Sequence, residues 1–580
     1  MIEYDKIERA IGENWYELDP ALKARVRADC PAEDIEWAEE KLSGFGALVG
    51  GRIAENADVI DASPPRLERY DRWANERGTV VHHPATLDSK SALWASGYVA
   101  GFEQEAKMRG RPVPAVVLAA SNYLLSEADT GMVCSLGMTS GVAGLVESYA
   151  PEDLRQELLA RLRAPSIEDG ADGSMYLTER DGGSDLGYTV HCTARDIGDG
   201  RVLIDGEKWF CSNIDGAAIV MLARPEGAPD GPHGLGLYLV PRELEDGSRN
   251  SIIIRRLKPK LGTKSVPTGE VEFHGALGYA LRPRGDGAGD PGDFGGLNRM
   301  MEMVNGSRFG VAMMGLGIAR RSFLESAIWA HHRRAKGRLL VDLPLVREQL
   351  VDLLVELEAA LALGFECAAA NHRDDGTRLR RILVPAAKIR LCRLGVEASS
   401  FAVELHGGNG YCEDWGLTRQ LRDAQCHPIW EGSENICALD VLRAIRRDAA
   451  HEAALARVDG VLERAHDEPS TSEAAGALRR ARDRLASSVE SLGGLVDPDW
   501  AEAGAGRLAG LLVKTVSTAL LLDQALASPD DCRADLVALR YARRHFGADT
   551  PFEDAIAALA GRQLLSYQPI DRPLAEQAAA

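Results

Sequence analysis

The spacing of apolar residues changes twice along the chain, and those changes divide it. From Ile7 to about Ala164, apolar side chains recur three and four apart, as in Ile35 to Leu48 and Pro151 to Leu162, the spacing of helices that bury one face. Between about Ser174 and Val271 the period drops to two. Val202 and Ile204 lead into Asp205-Gly206, a favoured hairpin turn; Leu235, Leu237 and Leu239 alternate along one face, and Val271 and Phe273 repeat the pattern. This predicts a small β domain. The stretch Gly285 to Gly292 is glycine-rich with few apolar side chains and reads as a linker or long loop. Helical spacing then returns. Leu350, Leu353, Leu354, Leu357 and Leu361 share one helix face, Pro344 suits that helix's first turn, Asn371 to Gly376 break it, and another helix runs from about Pro385 to Leu405. Beyond Asp448 an alanine-rich helical region has breaks at Gly493-Gly494 and Ser528-Pro529. The expected fold is mainly α with a central β domain: a helical domain over residues 1–172, a β domain over 173–284, an antiparallel helical bundle over 292–447 and a helical extension over 448–580.

Composition narrows the function classes. The 580 residues suggest several domains, and 45% hydrophobic with 27% charged residues describes a globular chain and not a disordered one. No apolar run reaches the roughly 20 residues expected of a membrane helix, and Met1 to Lys6 lack the stretches of a signal peptide, so no membrane association and a cytoplasmic location are expected. The ten cysteines form no CxxC pair, which argues against a disulfide scaffold or a zinc site; no metal is expected. A net charge of -20 repels polyanions on average. Arg479, Arg480, Arg482 and Arg484 cluster on a predicted helix, but Asp483 interrupts them. Residues 441–580 carry 17 Lys and Arg against 21 Asp and Glu, so a solvated helix face explains the cluster better than DNA does.

Four stretches carry candidate chemistry. In Tyr176 to Asp185, Gly182 and Gly183 allow close backbone approach to a ligand, and Thr178 and Ser184 can donate hydrogen bonds; alone, the stretch also suits a capped turn. In Lys208 to Asn213, an aromatic near the hydroxyl of Ser212 suits a planar heterocycle or, equally, a core strand. In Leu405 to Tyr411, glycines can present backbone N–H groups to an anion such as a pyrophosphate, though helix ends also use glycine. In Trp430-Glu431-Gly432-Ser433, a carboxylate between an aromatic and a glycine can sit against an apolar wall, which raises its pKa and makes it a better base; a solvated loop glutamate is the alternative.

Together, in this order, the four motifs resemble the acyl-CoA dehydrogenase family over roughly residues 80 to 445. Asn14 to Pro20, His83-Pro84, Gly137-Met138-Thr139 and Ile429 to Ser433 look most like its AidB, or adaptive alkylation-response, branch, which the C-terminal extension also fits. The resemblance implies an N-terminal helical domain, a β-barrel domain and a helical bundle, with FAD held between them and across a subunit interface of a homodimer or homotetramer. It implies Glu431 as catalytic base. Leu177, Thr178, Gly183, Ser184, Phe210, Ser212, Arg333, Gly407, Gly408, Ser433 and Asn435 would contact FAD, and Ser184, Arg308 and Gly432 the substrate. Two positions depart from commoner members: Lys336 stands where they carry Phe, and Asn305 where medium-chain types carry an acid. The implied reaction takes an acyl thioester, on CoA or a carrier protein, to its 2,3-enoyl form and passes electrons to an electron-transfer flavoprotein or to oxygen. The other readings are a DNA-associated protective role and oxidation of a nitroalkane or amine; against the latter, residue 431 is glutamate and not the aspartate of nitroalkane oxidases.

Overall fold

The computed structural model describes residues 1–283, 294–370, 375–465, 471–495, 497–528, 531–547 and 554–580. The expected loop over Gly285 to Gly292, most of the break at Asn371 to Gly376, and Pro529 lie outside them. The chain forms two compact units that are not linear segments: residues 1–54, 114–128 and 308–580 make one, and residues 55–113 and 129–307 the other.

The second unit is built on a β barrel. Its strands are β1 (Arg66–Tyr70), β2 (Glu76–Val81), β3 (Gly173–Tyr176), β4 (Thr193–Gly198), β5 (Arg201–Ser212), β6 (Ala218–Pro225), β7 (Gly236–Pro241), β8 (Ile252–Leu257) and β9 (Thr268–Ala280). Pairing runs β6-β4-β5-β9-β7 and back from β7 to β6, a closed ring that leaves those strands no open edge; β3 adds parallel to β6, and β8 antiparallel to β9. The period of two then has a direct meaning. Val202, Ile204, Met221, Val240, Val271 and Phe273 fill the interior, while Val220, Leu235, Leu237 and Leu239 pack outward on Val142, Leu145 and Val146 of the helix Thr130–Tyr149.

Two expectations for this unit are corrected. Asp205-Gly206 is not a hairpin turn, because β5 runs straight through it, and the turn between β4 and β5 is Asp199-Gly200, both at positive φ. Glycine is needed at 206 for space: a Cβ there would lie 2.7 Å from Cys192 Sγ, beside a register shift against β9. The region before Ala164, expected to be mainly helical, also contains the hairpin β1–β2, which was not singled out. Its strands are mostly polar and anchor through Leu67 and Val80 on the barrel core, so neither apolar period betrays them.

The first unit is helical, and its main helix is Pro344–Ala369, with Pro344 in the first turn as expected. The leucine face is only part of what it buries: from Leu350 to Ala369 nearly every side chain is buried. Helices Gly376–His406, Pro498–Leu526 and Arg533–Phe546 pack on it. The acids on this helix are met by cations. Glu358 pairs with Arg533, Glu366 with Arg457 at 2.9 Å, and Glu356 with His545 at 2.7 Å and Arg390 at 2.8 Å. Pro385 does not begin its helix but sits inside Gly376–His406; burial there outweighs the lost backbone hydrogen bond.

A further correction concerns Pro498–Leu526. This 29-residue helix is long and apolar enough to cross a membrane by length and composition alone, contrary to expectation. Its most apolar window is 67% buried within the structure, against the helices around it. None of the ten cysteines is in a disulfide.

Candidate active site

Glu431 lies in the turn between the helices Leu417–Ala424 and Glu434–Asp448, half-buried, with its backbone in the left-handed region at φ 54°. A non-glycine residue persists there only when its surroundings enforce it, and such strain collects at functional sites. Two buried cations enforce it here. Arg308 Nε donates to the Glu431 carbonyl at 3.0 Å, while its Nη1 pairs with Asp440 Oδ2 at 2.7 Å. Lys388 Nζ, 0% exposed, donates to the carbonyls of Pro428 at 2.9 Å and Gly432 at 2.6 Å. Gly432 follows at φ 101°, a conformation suited to glycine. Ser433 then caps the next helix, its Oγ accepting from the Ile436 N–H at 3.5 Å. This use leaves the hydroxyl hydrogen of Ser433 for another acceptor; Asn435 is exposed in the first turn. Trp430 stands 6.3 Å from the buried ring of His427, whose pKa is pushed down to about 3 by burial and by the Lys388 charge.

Arg308 is thus a clamp on the Glu431 carbonyl, anchored in turn by Asp440. Gly432 likewise has its carbonyl engaged by Lys388.

On the barrel unit, Leu177 and Thr178 continue from β3, and the Thr178 carbonyl accepts from the Trp209 N–H at 2.9 Å. This ties the first motif to the second. Gly183 is required, because a Cβ would lie 2.5 Å from Thr178 Oγ1; Ser184 beside it is exposed. Beneath them runs a buried ion pair, Glu179 with Lys208 at 2.7 Å. The Glu179 carboxylate also accepts from the N–H groups of His191 and Cys192, so Glu179 is a structural anchor. Phe210 is 55% exposed, and Lys258 Nζ lies 4.8 Å from its ring centroid and 3.6 Å from that of Trp209. Ser212 Oγ shares a 3.0 Å hydrogen bond with Thr268 Oγ1. An exposed ring with a hydroxyl two residues on along the same strand suits a flat heteroaromatic group.

Arg333 and Gly407-Gly408, far apart in sequence, are brought together in the helical unit. The exposed Arg333 guanidinium lies 5.8 Å from the Trp329 ring, and Trp329 stacks on His406 at 4.7 Å and meets Trp415 edge-on at 5.2 Å. His406 leads directly into the exposed Gly407-Gly408 backbone, where a Cβ on either glycine would have nothing within 4 Å. An exposed cation and open glycine backbone, connected through the Trp329–His406 stack, are groups that suit an anion such as a pyrophosphate.

Three features went unread in the sequence. Lys388 falls on the buried face of its helix with Leu391 and Cys392, and a lysine at an apolar position is a readable signal. Asp440 and the Trp329–His406–Trp415 stack are set by tertiary contact and have no local signature. In the arginine cluster, Arg482 pairs twice with Asp459 at 2.8 Å, whereas Arg479, Arg480 and Arg484 are exposed.

The family model for the adaptive response protein AidB N-terminal domain matches residues 6–168. Those for the acyl-CoA dehydrogenase middle and C-terminal domains match residues 174–276 and 295–446. The chain is 32% identical to AidB of Escherichia coli, named as a candidate acyl-CoA dehydrogenase, over 75% of this chain and 79% of that protein. It resembles the crystal structure of Caenorhabditis elegans ACDH-11 in complex with C11-CoA at 26% identity and a TM-score of 0.85, with 95% of each chain covered. It shares its fold with an acyl-CoA dehydrogenase complexed with FAD from Bacillus anthracis, at 16% identity and a TM-score of 0.71 over 98% of each chain. With the motifs in family order and a flavin-compatible set of side chains on each unit, the chain belongs to the acyl-CoA dehydrogenase family and is an FAD-dependent oxidoreductase with an AidB-type N-terminal domain.

Proposed function

We propose that this enzyme oxidises an acyl thioester to the 2,3-enoyl thioester, with Glu431 as the base that takes the α-proton. The observation that carries the reading is the Glu431 turn, a strained glutamate whose own carbonyl and those of Pro428 and Gly432 are held by buried cations. The C11-CoA bound to the C. elegans relative supports CoA as the carrier, and an acyl-carrier protein offers the same pantetheine arm.

FAD, when bound, would supply the acceptor for the hydrogen and electron pair that leave the β-carbon as hydride. Leu177, Thr178, Gly183, Ser184, Phe210, Ser212, Ser433 and Asn435 are the residues assigned to hold it, with Arg333 and Gly407-Gly408 assigned to the pyrophosphate of a neighbouring copy in a homodimer or homotetramer. The rest of the chemistry falls to the protein. The Glu431 carboxylate accepts the proton from the carbon beside the thioester carbonyl. Its backbone N–H donates to that carbonyl oxygen and opposes the negative charge that grows there. Arg308 fixes the peptide plane on the other side of Glu431, and Ser184 and Gly432 are assigned to the thioester arm. An electron-transfer flavoprotein or oxygen takes the electrons onward.

A panel of straight and branched acyl-CoA thioesters, scored by anaerobic bleaching of the flavin, tests the reading. Bleaching by at least one thioester is expected; bleaching by nitroalkanes and by no thioester would assign the site to the other chemistry.

A further inference from the structure

Three lysines of this chain are buried: Lys90, Lys208 and Lys388. Removing an ammonium from water costs several kcal/mol, so a lysine that only stabilises a fold is expected to meet a carboxylate. Two of them do, Lys90 with Asp172 and Lys208 with Glu179. Lys388 is different. Its hydrogen-bond acceptors are the backbone carbonyls of Pro428 and Gly432, and among the described residues no ion pair accompanies it. Those carbonyls bracket Glu431, the one residue of the turn at positive φ that is not glycine. Of the titratable groups around it, burial and the Lys388 charge keep His427 unprotonated and burial pushes the Cys392 and Cys437 thiols up, while Glu434 and Asp440 on the next helix are paired with Arg393 and Arg308. The ammonium charge is therefore answered by the carbonyl dipoles of this turn.

We propose that Lys388 is a positioning residue of the active site: its ammonium ties the two ends of the Glu431 turn and so aims both the Glu431 carboxylate and its backbone N–H at the substrate. This rests on the reading of Glu431 as the base. Arg308 holds the carbonyl of Glu431, and Lys388 holds the carbonyls of Pro428 and Gly432 on either side of it, so the turn is pinned at both ends and at Glu431 itself. A methionine of similar size at 388 would leave both carbonyls without this contact.

The test uses the FAD-loaded full chain and the acyl-CoA that bleaches wild type fastest. Lys388→Met is expected to bind that acyl-CoA as wild type does while its limiting rate of flavin reduction falls about 100-fold, the scale of a misplaced reacting group. The α-deuterium isotope effect on that rate should rise, and hydrogen exchange in peptides covering residues 425–436 of the free holoenzyme should speed up. Lys388→Gln, a shorter uncharged donor able to reach one carbonyl, should fall between the two. Reduction of either variant at the wild-type rate, or unchanged exchange in that segment, overturns the proposal. So does failure of both variants to hold FAD, since Lys388 would then serve the fold as a whole. Glu431→Gln measured alongside separates the two claims: if it reduces flavin normally the base is wrong, and if it is inert while Lys388→Met is normal only the positioning role fails.

Discussion

At Glu431 the backbone conformation costs about 1–3 kcal/mol, which the surrounding contacts must offset. The two cations that meet its turn, Arg308 and Lys388, come from separate helices and lie more than forty positions away in sequence. A similar dependence on space holds at Gly183, where the Thr178 hydroxyl leaves no room for a Cβ. Gly183→Ala is expected to displace the loop at a cost of about 1–3 kcal/mol, the scale of overpacking, and to lower the flavin retained through gel filtration. Retention equal to wild type would show that this loop does not hold FAD. The sequence made Glu431 legible through the order of its four motifs. Asp440 was not legible in the same way, because what defines it is its partner; Lys388 left a signal as a lysine on an apolar helix face, but the carbonyls it holds did not.

At the level of elements, periodicity separated the helical regions from the β region but misjudged elements whose surroundings are unusual. The helix Pro344–Ala369 carries a leucine stripe, yet it is buried on nearly every side, so its acids must be paired. Glu356 shows the consequence. Its carboxyl is buried, and hydrogen bonds and charge from His545 and Arg390 hold its pKa down to about 2, against an ordinary value of 4.5. A depressed folded pKa gives stability that is fully present above pH 4.5 and is lost as pH falls through about 2. That contribution is about 3 kcal/mol at neutral pH by the conversion of shift to free energy. Glu356→Gln should therefore lower Tm strongly at pH 7 and much less near pH 3, as read by thermal melts at both; an equal loss at both pH values would contradict the assignment. Ser433→Ala, which removes the cap of Glu434–Asp448, should cost about 1 kcal/mol of stability in a denaturant melt. The hairpin β1–β2 and the Asp199-Gly200 turn escaped the sequence for a common reason: polar strands and short turns take their place from the barrel they lean on.

At the scale of the whole molecule, the helices after Asp448 belong to the same compact unit as the bundle and not to a detachable appendage. Arg457, Arg533 and His545 in that region satisfy Glu366, Glu358 and Glu356 on the buried helix. Breaking a buried pair costs about 3–5 kcal/mol, so truncation after Asp448 is expected to give no soluble, FAD-loaded protein. Recovery of an active truncated enzyme would show that the extension is dispensable. The same packing explains how Pro498–Leu526 can have the composition of a membrane helix while most of its apolar surface is covered by neighbouring helices.

The central claim is that Glu431 removes the α-proton of an acyl thioester, and Glu431→Gln tests it most directly. The variant should retain FAD and still bind the acyl-CoA that bleaches wild type, but under anaerobic conditions its flavin should stay oxidised on the timescale of wild-type bleaching. Bleaching of the Glu431→Gln flavin at the wild-type rate would contradict the account.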